Sequence, residues 1–377
     1  TSGQYNVAIG YQAGYHGSGS ENVKIGAFAD NNQNSNGSFN VIIGYRAANG
    51  RIVDGNVGIG HYAMRYAGGG NDNVAVGQSS LQYPKGNYSV AIGAQAGRYA
   101  TGSYNTFMGY RAGRGGNTSA PYSSGEQNTA VGYQALAAFT TANYNAAFGM
   151  QALRVATTGN SNTALGTYSL YDLNTGTQNV SVGLSSGENI TDGNNNVLVG
   201  YRAGYTGTSP DGSIGIGYRA LYNNTANYNI AIGYDAGFGI TSGANNLAIG
   251  YTALGVHTTG GNNIAIGYGA MDDTDAGSTS LGSSDNVFIG LNAGGGTWAD
   301  AASSYNVGIG NNVMDSALNA SIQNVAIGHY ALSSVTTSDG NVAIGYKALY
   351  VAETSTEHLA IGYKAAFSKT TGDRILA

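Results

Sequence analysis

One nine-residue phrase recurs 21 times in this 377-residue chain, and it restricts the fold more than any other feature. Its clearest copy is Asn229-Ile-Ala-Ile-Gly-Tyr-Asp-Ala-Gly237. Aligned on the central glycine, the copies run from Gly10, Gly26 and Gly44 to Gly328, Gly345 and Gly362, most often 17 residues apart. Self-similarity at a short fixed period marks a solenoid, in which each unit packs only on its neighbours.

Each position of the phrase has its own chemistry. A large apolar residue precedes the glycine in every copy, and Val, Ile, Leu or Thr nearly always stands three before it, as in Val7, Val23, Ile230 and Leu247. Positions two apart share a face in an extended strand, whereas a helix needs spacings of three and four. The residue between them is usually small, and Asn stands four before the glycine in 18 of 21 copies. The pattern therefore predicts a short β-strand with a bulky face and a narrow face, both buried.

After the glycine comes Tyr in 11 copies, and three residues on Ala in 17, Ser in three and Val once. A column restricted to Ala and Ser implies close approach of neighbouring backbone. The glycine is read as a bend between two strands, and the remaining Gly, Asn, Ser and Thr as turn residues. The expected rung is strand, bend, second short strand and polar turn. Stacked at ~4.8 Å, such rungs build a rod in which every column becomes a ladder, Asn over Asn and Tyr over Tyr. In the central copy the ladder residues are Asn229, Ile232, Gly233, Tyr234 and Ala236.

The string Asn-Val-Ala-Ile-Gly-x-x-Ala, at Asn6–Ala13 and Asn341–Ala348, resembles the YadA-type head repeat of trimeric autotransporter adhesins. Similar repeats occur in phage and viral fibre proteins. The resemblance extends over essentially the whole chain. It implies a left-handed parallel β-roll, three chains side by side, adhesive function and no catalysis. The repeats here are longer than the usual unit, and no neck, stalk or membrane anchor is evident.

Composition sets further bounds. Charged residues make up 9%, against roughly 25% in ordinary soluble domains. A net charge of −5 without any run of Lys or Arg argues against a nucleic-acid partner. Cysteine is absent, which excludes disulfides and thiolate metal sites. No apolar stretch approaches the ~20 residues of a membrane-spanning helix. The uninterrupted repeat implies one elongated domain over 1–377, with insertions near 114–127, 272–285 and 294–305. The phrase has no polar capping copy, so the chain is expected to continue beyond these residues or to meet other copies at its ends.

Few residues suggest site chemistry. His16, His61, His257, His329 and His358 show no metal-ligand spacing and read as ladder filler. The acidic loop Asp272, Asp273, Asp275 is the best candidate for calcium, set against a plain solvated loop, since EF-hand spacing is missing. Aromatics just before the Asn column, such as Tyr5, Phe39, Tyr88, Tyr104, Tyr144, Tyr228 and Tyr305, read as strand packing rather than as a binding row. No cofactor is expected. The function this supports is a non-enzymatic extracellular fibre or adhesin on a cell or virion surface. Its partners would be other copies of itself and a host-surface protein or glycan. The alternative is a structural filament whose subunits stack end to end.

Overall fold

The computed structural model describes residues 3–116, 119, 122–274, 282–298, 301–351, 354, 356–368, 376 and 377. Two compact units divide the chain, Thr1–Gly193 and Asn194–Ala377. The fold is an all-β parallel solenoid, and no helix occurs among the described residues. The first unit contains eleven strands, Val7–Ile9 through Val180–Val182, and the second ten, Val197–Val199 through Leu359–Ile361.

Every strand is three residues long and coincides with the positions just before a glycine. Neighbours pair in parallel and in the register of the repeat, as in Ile230↔Leu247, Ala231↔Ala248 and Ile232↔Ile249. The 23-residue steps do not disturb this: Thr106 still pairs with Thr129, and Ile264 with Val287. Insertions leave between rungs because the paired phrase is the part that repeats.

Two expectations about the rung need correction. First, among the described residues each rung has one strand and not two. Beyond the glycine the second and fourth residues take left-handed backbone, as in Gln134 (φ 54°) with Leu136 (φ 49°), and Thr252 (φ 50°) with Leu254 (φ 51°). Such residues cannot extend a strand. Their N–H groups instead reach the neighbouring rungs on either side: Thr252 N donates to Tyr234 O (2.9 Å) and Leu254 N to Ala270 O (3.0 Å). The turn segment is thus hydrogen-bonded between rungs much as the strand is.

Second, the two strand faces are not both buried. In every strand but the first, the central residue, usually small, is buried and the flanking residues are half-buried or exposed. Ala231 is buried while Ile232 is 38% exposed. The narrow face lines the interior because one coil is too thin to enclose three large side chains. The core is built instead from the Ala/Ser column, a Leu/Met column four residues after the glycine, and an apolar position seven after it. Phe139, Leu173, Ile190, Ile240 and Val335 occupy this last position and are fully buried.

The repeated glycine is obligatory on two grounds. Gly233 has φ +142°, outside the range of L side chains, and a Cβ there would lie 2.7 Å from the carbonyl carbon of Gly250 on the next rung.

Candidate functional site

The Asn column forms an interior ladder. Asn246 N and Nδ2 both donate to Asn229 Oδ1 (2.9 and 3.2 Å), and Nδ2 also donates to Gly260 O (3.0 Å). Asn229 Nδ2 donates likewise to Gly243 O (2.8 Å). The arrangement recurs from Asn22 on Asn6 to Asn179 on Asn162 in the first unit, and up to Asn341 on Asn324 in the second. Where Ser replaces Asn, its Oγ takes over as acceptor: Asn229 N donates to Ser213 Oγ (3.3 Å). The ladder satisfies buried amides, so its role is structural.

The outer faces are apolar and aromatic. Ile232 and Tyr234 flank Gly233 and are 38% and 43% exposed. Ile216 with Tyr218 and Ile361 with Tyr363 repeat the arrangement. Tyr201, Tyr218, Tyr234, Tyr251 and Tyr268 stack at 4.7–5.2 Å between centroids with planes within 18°. A second column, Tyr205, Tyr222 and Phe238, stacks at 5.1 Å per step. In the first unit Tyr66, Tyr83 and Tyr99 stack, and Tyr122 closes on Tyr83 at 4.4 Å. The 114–127 insertion therefore returns onto the rungs at Tyr122, and Ser123 is buried.

The aromatics before the Asn column behave otherwise than expected. Tyr5, Phe39, Tyr88, Tyr104, Tyr144, Tyr228 and Tyr305 adopt left-handed φ and are all more than half exposed. Only Tyr88 and Tyr104 stack on each other among them. Their backbone conformation turns them out of the strand, so strand packing does not account for them.

Among the described residues no group of three or more His, Asp or Glu is arranged to hold a metal, and Asp275 lies outside those residues. Asp273 Oδ2 accepts a hydrogen bond from Thr297 Oγ1 (2.6 Å). The Asp272 carboxyl is pushed up to about 6, first by burial and then by the charge of Asp273.

Histidines partly fill ladders, as expected: His61 stacks on Tyr45 of the preceding rung at 5.5 Å, and His329 meets Tyr346 of the following rung edge-on at 5.8 Å. His257 and His358 are buried instead. His257 Nδ1 lies 2.8 Å from Thr274 Oγ1 and Nε2 lies 2.9 Å from Gly260 O. Trp298, placed by sequence within the 294–305 insertion, is fully buried; it donates to Gly294 O (3.0 Å) and packs edge-on against Phe288.

These features define a β-solenoid repeat protein with an amide-laddered interior and apolar, aromatic outer faces. A comparison with protein-family models finds no match, and neither does a comparison with curated protein sequences. No helix among the described residues is long and apolar enough to cross a membrane.

Proposed function

We propose that this chain is part of a non-enzymatic extracellular fibre or adhesin on a cell or virion surface. It works as a homo-oligomer of parallel, in-register chains, three being the number that the resemblance to adhesin heads implies. The reading is carried by one observation: the aliphatic strand residues next to the repeated glycine stay uncovered, for example Ile92 (37%), Leu165 (50%) and Ile309 (38%). Aliphatic side chains left uncovered on rung after rung support a role in interaction.

The opposite Ala/Asn face does not supply such a surface, because it is buried within its own chain, with Ala231 and Asn229 fully covered.

Mass photometry below micromolar concentration tests the assembly. The expected mass is three times 38.3 kDa. Ile232→Lys, on the outer face, is expected to dissociate the oligomer and leave a folded chain. A folded wild-type monomer overturns the assembly. Fluorescent protein that fails to attach to any host-type cell overturns the adhesin reading, and end-to-end polymers in electron micrographs favour the filament.

A further inference from the structure

Charge is distributed unevenly along this weakly charged chain. Residues 1–193 contain nine Lys and Arg against eight Asp and Glu, whereas residues 194–377 contain six against twelve. Most of the first unit's arginines fall in one place. Five residues after the glycine stand Arg65, Gln82, Arg98, Arg114, Ala137 and Arg154 on six successive rungs, and this column contains no carboxylate before Glu188.

The described ion pairs are Lys24–Asp30 and Arg219–Asp235, so none of these arginines is paired with a carboxylate. Their partners are neutral. Arg98 Nε donates to Gln82 Oε1 (2.7 Å) and Arg111 Nε to Gln95 Oε1 (3.0 Å). Arg98 and Arg114 lie 4.9 and 5.2 Å from the centroid of the Tyr99 ring. The Nε atoms of Arg65 and Arg114 are buried with no hydrogen-bond partner. At the end of the row, Arg154 bonds the Tyr171 hydroxyl, and its charge is felt by Asp172.

Ala137 interrupts the column. Its short side chain leaves a cleft of about 280 Å³ lined by Arg111, Arg114, Gln134, Ala138 and Arg154. Arg114 and Arg154 stand two rungs apart across it, about 10 Å at the usual strand spacing.

We propose that this cleft binds the sulfate or carboxylate groups of a linear acidic polysaccharide lying along the arginine column. The proposal names the ligand class for the adhesin reading above and rests on it. Planar guanidinium forks suit sulfate and carboxylate oxygens. Single-file charges at rung spacing suit an extended polymer, because a pyranose unit advances by roughly one rung. Tyr66, Tyr83, Tyr99 and Tyr122 cover one another's ring faces, and of the four only Tyr66 is exposed (45%). Nucleic-acid bases would need free ring faces for stacking.

The test is calorimetric titration at low ionic strength with a heparin-type oligosaccharide, neutral dextran, oligo-dT and vesicles containing anionic lipid. The oligosaccharide is expected to bind, and dextran not at all. Arg114→Gln and Arg154→Gln should each weaken it by about tenfold, the size of one charge-assisted contact, and Arg51→Gln should not. If Arg114→Gln misfolds by circular dichroism, Arg114→Lys keeps the charge, loses the fork and should still weaken binding. No oligosaccharide binding, binding unchanged in both Gln variants, or equal or tighter binding of oligo-dT or vesicles overturns the proposal. A cell-attachment assay separates the two readings. Attachment unchanged in the double Arg114→Gln/Arg154→Gln variant overturns this site and leaves the adhesin. Oligosaccharide binding without cell attachment overturns the adhesin and leaves the site.

Discussion

Lys24 and Asp30 meet inside the first unit, with Nζ 2.6 Å from Oδ2 and both side chains about 95% covered. They occupy the two columns that elsewhere hold Ala130 with Leu136, or Phe107 with Gly113. In each rung these positions share one interior volume, and here the volume is filled by an ion pair. Burial raises the Asp30 carboxyl above its ordinary range, and the Lys24 charge works against that shift.

Removing one partner should therefore be worse than removing both. Asp30→Ala or Lys24→Met leaves a buried uncompensated charge and is expected to destabilise by about 3–5 kcal/mol. The double change Lys24→Ala/Asp30→Leu recreates the Ala130–Leu136 pair and should be near neutral or stabilising. Urea unfolding midpoints compare the three, and a double variant no better than the singles would refute the shared-volume account.

Asn246 tests the amide ladder. Its Oδ1 accepts from Asn263 N and Nδ2, both at 3.0 Å. Asn246→Ala removes these two bonds and the two that its Nδ2 donates, and it leaves Asn263 N without an acceptor, at about 1–3 kcal/mol if buried unsatisfied; Asn229 Oδ1 keeps Asn246 N and Asn263 Nδ2 keeps Ser283 O (3.0 Å). Asn246→Ser keeps an acceptor, as Ser213 does, and should lose less than half as much. Equal melting temperatures for the Ala and Ser variants would show that the ladder contributes packing only.

The Ala/Ser column should resist any larger residue. Ala236 is fully buried, and Ala236→Leu is expected to destabilise by at least ~1–3 kcal/mol through overpacking. Thr241→Ala removes only the bond from its Oγ1 to Thr258 O (3.0 Å), worth about 1 kcal/mol. Thermal unfolding of the two variants gives the order directly.

Asp272 predicts a pH effect of definite sign. Its folded value of about 6 lies above the ordinary 3.8, so folding favours the neutral carboxyl. The stabilisation is complete below pH 3.8 and is lost as pH rises to about 6. The group is half exposed, so screening holds the effect under ~1 kcal/mol. Asp272→Asn should be the more stable form at pH 7, with the gap closing toward pH 4. A stability difference that does not change between those pH values would contradict this.

Much of the molecule was legible in residue order. The repeat announced the solenoid, period-two spacing placed every strand, and the Asn column already indicated a ladder. Lys24 stands out in the sequence as a charge at a normally small strand position. These inferences succeed because each depends on what stands at one column, and stacking converts a column into a contact. The arginine column follows the same repeat, but Arg65, Arg98, Arg114 and Arg154 lie 16 to 40 residues apart and form no run of Lys or Arg.

Only the tertiary structure decided which way the rung faces. Alternation along a strand says that Ala231 and Ile232 point to opposite sides, but not which side is enclosed. That depends on where the coil closes, and the left-handed residues after the glycine close it on the alanine side. The same closure brings Ile240 and Trp298 inward from stretches that read as turn. It also leaves Tyr228 and Ile232 outside, where surface can meet another molecule. Periodicity is a property of the chain, whereas inside and outside are properties of the closed coil.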